Sequence, residues 1–234
     1  MSTHDEIKQK MIMAGKILVA EGQDDFTRGH ISFRLPDNPG LFFMKPHSIG
    51  LDEITMENIL TIDLEGNVVA GKAKRHSEVY IHSEILKARP DLNCVLHTHP
   101  TYSTAFSAMG RPMRAYSQPA ALFYNAVGVY TDTINLIRTH DMGRGVAKAL
   151  GPHRTVLLKN HGVVMTGVSI EETIISVIML ENAAQVQMIV EAAGAAAPEF
   201  SLEDIMQLQH DISRPEQFIV NFDYLARRVK RREG

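Results

Sequence analysis

One cysteine and no tryptophan occur in 234 residues. The single thiol, Cys94, excludes an intrachain disulfide and points to a reducing compartment. It lies inside the apolar run "CVLH", where an inert buried thiol is expected rather than a nucleophile. An excess of positive charge is also missing: 24 Lys and Arg face 27 Asp and Glu, a formal net charge of −3. No global basic field invites nucleic acid. The cluster Arg227, Arg228, Lys230, Arg231 and Arg232 is local and reads as the solvated end of a helix, where cations complement the macrodipole. The opening "MSTHDEIKQK" carries charges where a signal peptide needs an apolar stretch, and no apolar run approaches the roughly 20 residues of a membrane span. The expectation is a cytoplasmic protein with neither membrane nor nucleic acid as partner.

The length suits one domain over residues 1–234, and 44% hydrophobic with 22% charged residues is ordinary for a globular chain. A first helix is predicted over Glu6–Glu21, with Thr3 and Glu6 at capping-box spacing and Gly22 as its stop. Short β-like runs follow: "HISFRL", "LFFMK", then "ILTIDL" and "VVA" joined by a turn at Glu65-Gly66-Asn67. A helix is expected over Ser77–Ala88, a strand at "CVLHT" and a helix after Pro100. "VGVY" and "TVLLK" read as strands around a helix at Gly143–Leu150, and "GVVMTG" as a strand after a tight Asn160-His161-Gly162 turn. The longest helix starts at Ser169, with Glu172 completing a capping box, and runs to about Ala193. "AAGAAAPEF" reads as a loop or hinge before two closing helices. This irregular alternation predicts an α/β domain built on a mixed sheet flanked by helices.

Two histidines stand one residue apart in "LHTHP". Residues i and i+2 of a strand share a face, so His97 and His99 aim both imidazoles one way. A divalent first-row ion takes imidazole nitrogens at about 2.0–2.1 Å, so two such rings can share it. An isolated His-x-His is more often structural. His161, in the turn of "LLKNHGVVM", has no evident packing role, an exposed turn histidine being the alternative reading. Glu78, in "RHSEVYIHSEI", stands in the first turn of a helix, where an acid is also favoured by the dipole alone. Together, three histidines and a carboxylate are the donor set of a catalytic Zn²⁺ or Mn²⁺ site with an open position.

From about Gly29 to Glu181 the chain resembles the class II aldolase/adducin family. The segments that carry the resemblance are "GHIS", "KPHSIGLDEI", "VVAGKAKRHSE", "LHTHP", "LKNHG" and "IMLENAAQ". It implies one divalent ion per subunit, Mn²⁺ or Zn²⁺, on His97, His99 and His161, with Glu78 as acid/base and as a ligand in the resting state. It also implies a central, largely antiparallel sheet between helices, and a homotetramer with sites near subunit interfaces.

Departures from the sugar-phosphate aldolases of that family steer the functional expectation. Gly29-His30 replaces a Gly-Asn turn, and His76-Ser77 replaces a serine pair, which removes neutral donors suited to phosphate. Arg28 and Arg75 flank these points, and Lys45 and His47 precede Ser48-Ile49-Gly50. Arginine offers a planar fork suited to carboxylate. These features resemble the decarboxylating branch, which acts on hydroxylated aromatic acids, with a hydroxypyridine dicarboxylate as the expected substrate. Substrate contacts are expected from Arg28, Gly29, His47, Ser48, Gly50, Arg75 and Ser77, with Glu78 or His30 as proton donor. The alternatives are an aldolase or epimerase acting on a sugar phosphate, and a non-catalytic adducin-like interaction domain. The last expects lost ligands, whereas all four are present. Tyr102, Tyr116, Tyr124 and Tyr130 are expected to pack.

Overall fold

A computed structural model describes residues 2–194, 198 and 200–234. Eight strands form one sheet: β1 (His30–Arg34), β2 (Leu41–Met44), β3 (Leu60–Asp63), β4 (Val68–Ala70), β5 (Cys94–Thr98), β6 (Val127–Tyr130), β7 (Thr155–Leu158) and β8 (Gly162–Gly167). Their spatial order is β4-β3-β2-β1-β5-β8-β7-β6. Every neighbouring pair is antiparallel except β6–β7, so the sheet is mixed and largely antiparallel. The helices are α1 (Thr3–Ala20), α2 (Val79–Ala88), α3 (Thr101–Met109), α4 (His140–Leu150), α5 (Ile170–Ala192), α6 (Leu202–Ile212) and α7 (Pro215–Glu233).

The two-residue period of the strands sorts their side chains into two cores. Phe43, Leu96, Leu157 and Val163 enter one core, against α1, α3, α5 and α7. Their neighbours Phe42, Val95, Val156 and Val164 enter the other, against α2 and α4. Both faces of the central strands are therefore apolar, which is why "CVLHT", "TVLL" and "GVVMTG" are buried along their whole length. Cys94 belongs to the first core, and burial pushes its thiol up to about 12.

Local signals shift at several ends. The first capping box is Ser2 with Asp5, one residue before the expected Thr3–Glu6 pair. Glu78 is the N-cap residue of α2 rather than part of it. Glu172 accepts from the Val168 N–H at 2.7 Å, while Ser169 accepts from the Glu172 N–H. Helix α4 begins at His140, capped by Thr139, earlier than the expected Gly143. A Cβ on Gly143 would stand 2.4 Å from the Tyr80 carbonyl, so this glycine permits the close packing of α4 on α2. A 3₁₀ turn at Pro119–Phe123 was not foreseen. The expected hinge "AAGAAAPEF" lies partly outside the described residues.

One expectation about long apolar runs is corrected by α5. By length and composition it is long and apolar enough to cross a membrane, but half of that stretch is buried inside the fold. Ile170, Ile174, Val177, Leu180 and Ala184 pack in the first core, and burial of each large aliphatic chain is worth about 1.5–3 kcal/mol. Glu181 of α5 does a different job. Its carboxylate accepts the Tyr102 and Ser103 N–H groups and the Ser103 hydroxyl, each at 2.7 Å, and so caps α3 from outside. That anchors the chain just after His99-Pro100.

Candidate metal centre and active site

Strand β5 carries His97 within it and His99 one residue beyond its end. The turn between β7 and β8 returns His161 beside them. Asn160 holds a left-handed φ of 59° there, a conformation asparagine tolerates. Nε2 of His97 lies 3.0 Å from that of His99 and 3.3 Å from that of His161. Ligands about 2.0–2.1 Å from a tetrahedral ion stand about 3.3–3.4 Å apart, so these two spacings are already close to that, and the three donor atoms all lie within 4.8 Å of one another. Gly162 makes this approach possible. A Cβ there would lie 2.6 Å from the Thr98 carbonyl and 2.7 Å from His99 Cδ2.

The protonation of the ring atoms suits the same use. His97 Nδ1 donates to the Val163 carbonyl at 2.9 Å, which leaves a lone pair on Nε2. Burial pushes the His97 and His99 imidazoles down from their ordinary range and that of His161 down to about 4. All three are therefore neutral near pH 7, the state in which imidazole binds a cation. His99 Nδ1 stands 3.3 Å from Asp25 Oδ2, and the other Asp25 oxygen accepts from Arg28 at 2.7 Å. Asp25, which the motifs did not single out, thus ties His99 to Arg28.

Glu78 completes the group. Its side chain does not cap α2 but turns inward, where it accepts the Ile137 N–H at 2.9 Å. Its oxygens stand 3.8 Å from His161 Nε2, 4.0 Å from His97 Nε2 and 3.7 Å from His30 Nε2. Burial raises its carboxyl above the usual carboxylate range. The donor set therefore fits a divalent ion, with three neutral imidazoles and a carboxyl poised at the edge of ligand distance.

A cavity of about 650 Å³ opens over this group. Arg28, His47, Ser77, Glu78, His99 and His161 line it. So do Asn160, from the "LKNHG" turn, and Asp25, Thr104, Ile134, Leu136 and Arg138, none of which a short motif marks. His97 and His30 are fully buried beneath it. Other expected contacts stand outside the lining. Arg75 donates to the His76 carbonyl and to the Tyr80 hydroxyl, and its guanidinium lies over the Tyr80 ring. Ser48 bonds the His47 ring, while Gly29 and Gly50 shape the loops around it. Lys45 is fully buried and donates to the Thr27 carbonyl at 3.1 Å, under the loop that presents Arg28. None of the four named tyrosines lines the cavity.

Behind the cavity lies a buried row that the motifs hid. His30 Nδ1 is 2.6 Å from His82 Nε2, and His82 Nδ1 is 2.6 Å from Ser32 Oγ. His76 packs against His30 with ring centroids 4.0 Å apart and the planes tilted by 47°. The signal was present as period: Ser32 shares the strand face of His30, and His82 follows Glu78 by one helical turn.

Comparison with known proteins fits this geometry. The decarboxylase NovR of Streptomyces niveus is 31% identical over 73% of this chain, which spans 64% of that protein's length. The 3,4-dihydroxyphthalate decarboxylase of Arthrobacter keyseri is 29% identical over 88% of this chain and 87% of its own. The solved L-fuculose 1-phosphate aldolase of Glaciozyma antarctica is 25% identical, with a TM-score of 0.86 over 98% of this chain and 90% of its own. Residues 9–188 match the class II aldolase and adducin N-terminal domain, and the chain belongs to that family.

Proposed function

We propose that the protein is a metal-dependent carbon–carbon lyase that decarboxylates a hydroxylated aromatic or heteroaromatic dicarboxylate. The single observation that carries the reading is the cavity itself. It joins a triangle of neutral imidazoles to the cations Arg28 and Arg138 and to the apolar side chains Ile134 and Leu136. A flat ring bearing carboxylates meets its needs in such a place. Within this class, the sequence expectation favours 3-hydroxy-2-methylpyridine-4,5-dicarboxylate, a compound of vitamin B6 degradation. Similarity to relatives named as decarboxylases, one of them of 3,4-dihydroxyphthalate, supports the reaction type.

His97, His99 and His161 hold one divalent ion, Mn²⁺ or Zn²⁺, with Glu78 adjacent. When bound, the ion supplies Lewis acidity toward a substrate oxygen, easing the build-up of charge as the C–C bond breaks. The chain's own residues do the rest. Arg28 binds a carboxylate through a charge-assisted fork, with His47 and Ser77 as further donors. Arg75, Gly29, Ser48 and Gly50 support the surrounding loops. The carbon that loses CO₂ must gain a proton, and Glu78, whose raised pKa keeps a proton available, is placed to give it. His30 is the second donor. The subunits assemble as a homotetramer, with the open mouth at Ile134 and Leu136 near a subunit contact.

A sugar-phosphate aldolase remains the second reading, favoured by the hydroxyl and amide donors Ser77, Thr104 and Asn160 in the lining. The test is a substrate screen on metal-free protein with each ion added back. CO₂ release from hydroxylated ring dicarboxylates is expected. Cleavage of a sugar phosphate without CO₂ release would overturn the decarboxylase reading.

A further inference from the structure

The row Ser32–His82–His30 runs from a buried hydroxyl to the floor of the cavity, and it has only two self-consistent proton arrangements. All three side chains are fully buried. Held in a row with a hydroxyl and shut away from solvent, both rings are neutral and each carries one proton. In the first arrangement the Ser32 hydroxyl donates to His82 Nδ1. His82 Nε2–H then donates to His30 Nδ1, and the remaining His30 proton sits on Nε2. In the second arrangement every bond is reversed. His30 Nδ1–H donates to His82, His82 Nδ1–H donates to Ser32, and His30 Nε2 is a bare lone pair.

Hydrogen-bond satisfaction separates the two. Among the described residues, the one partner found for the Ser32 hydroxyl is His82 Nδ1. In the reversed arrangement that hydroxyl would accept from His82 and leave its own proton buried without an acceptor. An unmade buried bond costs about 1–3 kcal/mol. The reversed arrangement leaves two groups unmet, the Ser32 proton and the His30 Nε2 lone pair. The first leaves only the His30 Nε2–H, which lies at the cavity floor beside the Glu78 carboxyl. At the far end, a Glu78 carboxyl oxygen lies 3.7 Å from His30 Nε2, an acceptor that favours a proton on Nε2 over a lone pair and leaves that N–H free for a substrate atom.

We infer that Ser32 and His82 are positioning residues that lock His30 with its proton on Nε2. His30 then presents a fixed N–H donor to an anionic oxygen or the reacting carbon of the substrate. A protonated Nε2 cannot ligate a cation. The neighbouring group of His30, His76 and Glu78, whose donor atoms cluster as closely as a metal site requires, is therefore a hydrogen-bonding floor and not a second ion site. The tautomer follows from hydrogen bonding alone, and only its consequence for turnover rests on the function proposed above.

The test is ¹⁵N NMR of the histidine rings in Zn²⁺-loaded protein, together with metal analysis. In the wild type, His30 should show a protonated Nε2 and an unprotonated Nδ1, with one ion per chain. Ser32→Ala removes the donor that orients His82, so His30 should become a mixture of tautomers with metal content unchanged. Ser32→Thr restores the hydroxyl and should restore the wild-type pattern. Under the reaction found by the substrate screen, Ser32→Ala should lower kcat about 5- to 10-fold with KM little changed, the loss expected for one neutral hydrogen bond. The inference fails if wild-type His30 carries its proton on Nδ1, if two ions bind per chain, or if Ser32→Ala leaves the tautomer unaltered. The wild-type spectrum decides the matter even if a variant does not fold, and whether or not the decarboxylase reading holds.

Discussion

Glu181→Ala removes a carboxylate that touches no substrate, yet it should weaken both the fold and the candidate metal site. The side chain accepts three hydrogen bonds of 2.7 Å, two from N–H groups in the first turn of α3 that have no partner within the helix and one from the Ser103 hydroxyl. A hydrogen bond to a charged group contributes about 1.5–3 kcal/mol, and three to one carboxylate are less than additive. Ser103 is fully buried, so water cannot readily replace the lost acceptor at its hydroxyl. A loss of about 3 kcal/mol is a fair central value, which for a domain of this size lowers Tm by roughly 6–12 °C. Because α3 starts two residues after His99, its loosened first turn should also weaken ion binding. The assay is thermal unfolding of wild type, Glu181→Ala and Glu181→Gln at one protein concentration, with and without Zn²⁺. Glu181→Gln keeps one acceptor and should fall between the other two. A Tm drop under about 2 °C for Glu181→Ala would refute the capping argument.

Other expectations follow from the same geometry. His161→Ala should lose most bound metal, measured by elemental analysis, while its far-UV circular dichroism stays native; full occupancy would remove His161 from the ligand set. Glu78→Gln should cut turnover about 10²- to 10⁴-fold, the usual range for a general acid, with substrate affinity largely kept; near-normal turnover would transfer the proton to His30. Arg28→Lys should weaken binding of a ring dicarboxylate by about one to two decades and of the monocarboxylate analogue by less; equal losses would make Arg28 a structural partner of Asp25 alone. Metal-free protein should lose stability as the pH falls. His82 binds a proton below about 3 when folded but near 6.5 when unfolded, so the unfolded state takes up protons first. The stability it contributes is complete above about 6.5 and declines toward 3, by on the order of 2 kcal/mol at pH 5. Denaturant titrations at pH 7 and pH 5, compared with His82→Gln, would expose a missing pH dependence.

Much of the frame could be read in advance because the strands are short apolar runs between turn residues. The HxH spacing at His97 and His99 obeyed the period of a strand so simply that geometry left it little freedom. What escaped notice did so for physical reasons. The expected helix began at Gly143, three residues late, because the Thr139 cap was not recognised; the role of Gly143 lies in the approach to Tyr80, a contact between segments far apart in sequence. Asp25, Thr104 and Arg138 reach the cavity only because distant loops fold over it, and no local pattern marks such residues. Arg75 looked equivalent to Arg28 by its flanking position, but the Tyr80 ring at the start of α2 draws it away from the cavity.

Gly162 has a consequence for how this protein tolerates change. It faces no substrate, ends no helix, and has ordinary backbone angles, so by common engineering reasoning it is a natural place to put alanine and stiffen a turn. Yet one methyl group there would push apart the strand end at Thr98 and the ring of His99. Position 162 should therefore be among the least permissive in a saturation-mutagenesis screen scored by activity. A screen scored only by folded yield should rank it low as well, since the Thr98 carbonyl 2.6 Å from that Cβ is backbone and must shift, but less low, because folding does not need the rings held at ligand spacing. The difference between those two rankings would measure how closely three rings must be held for the site to work.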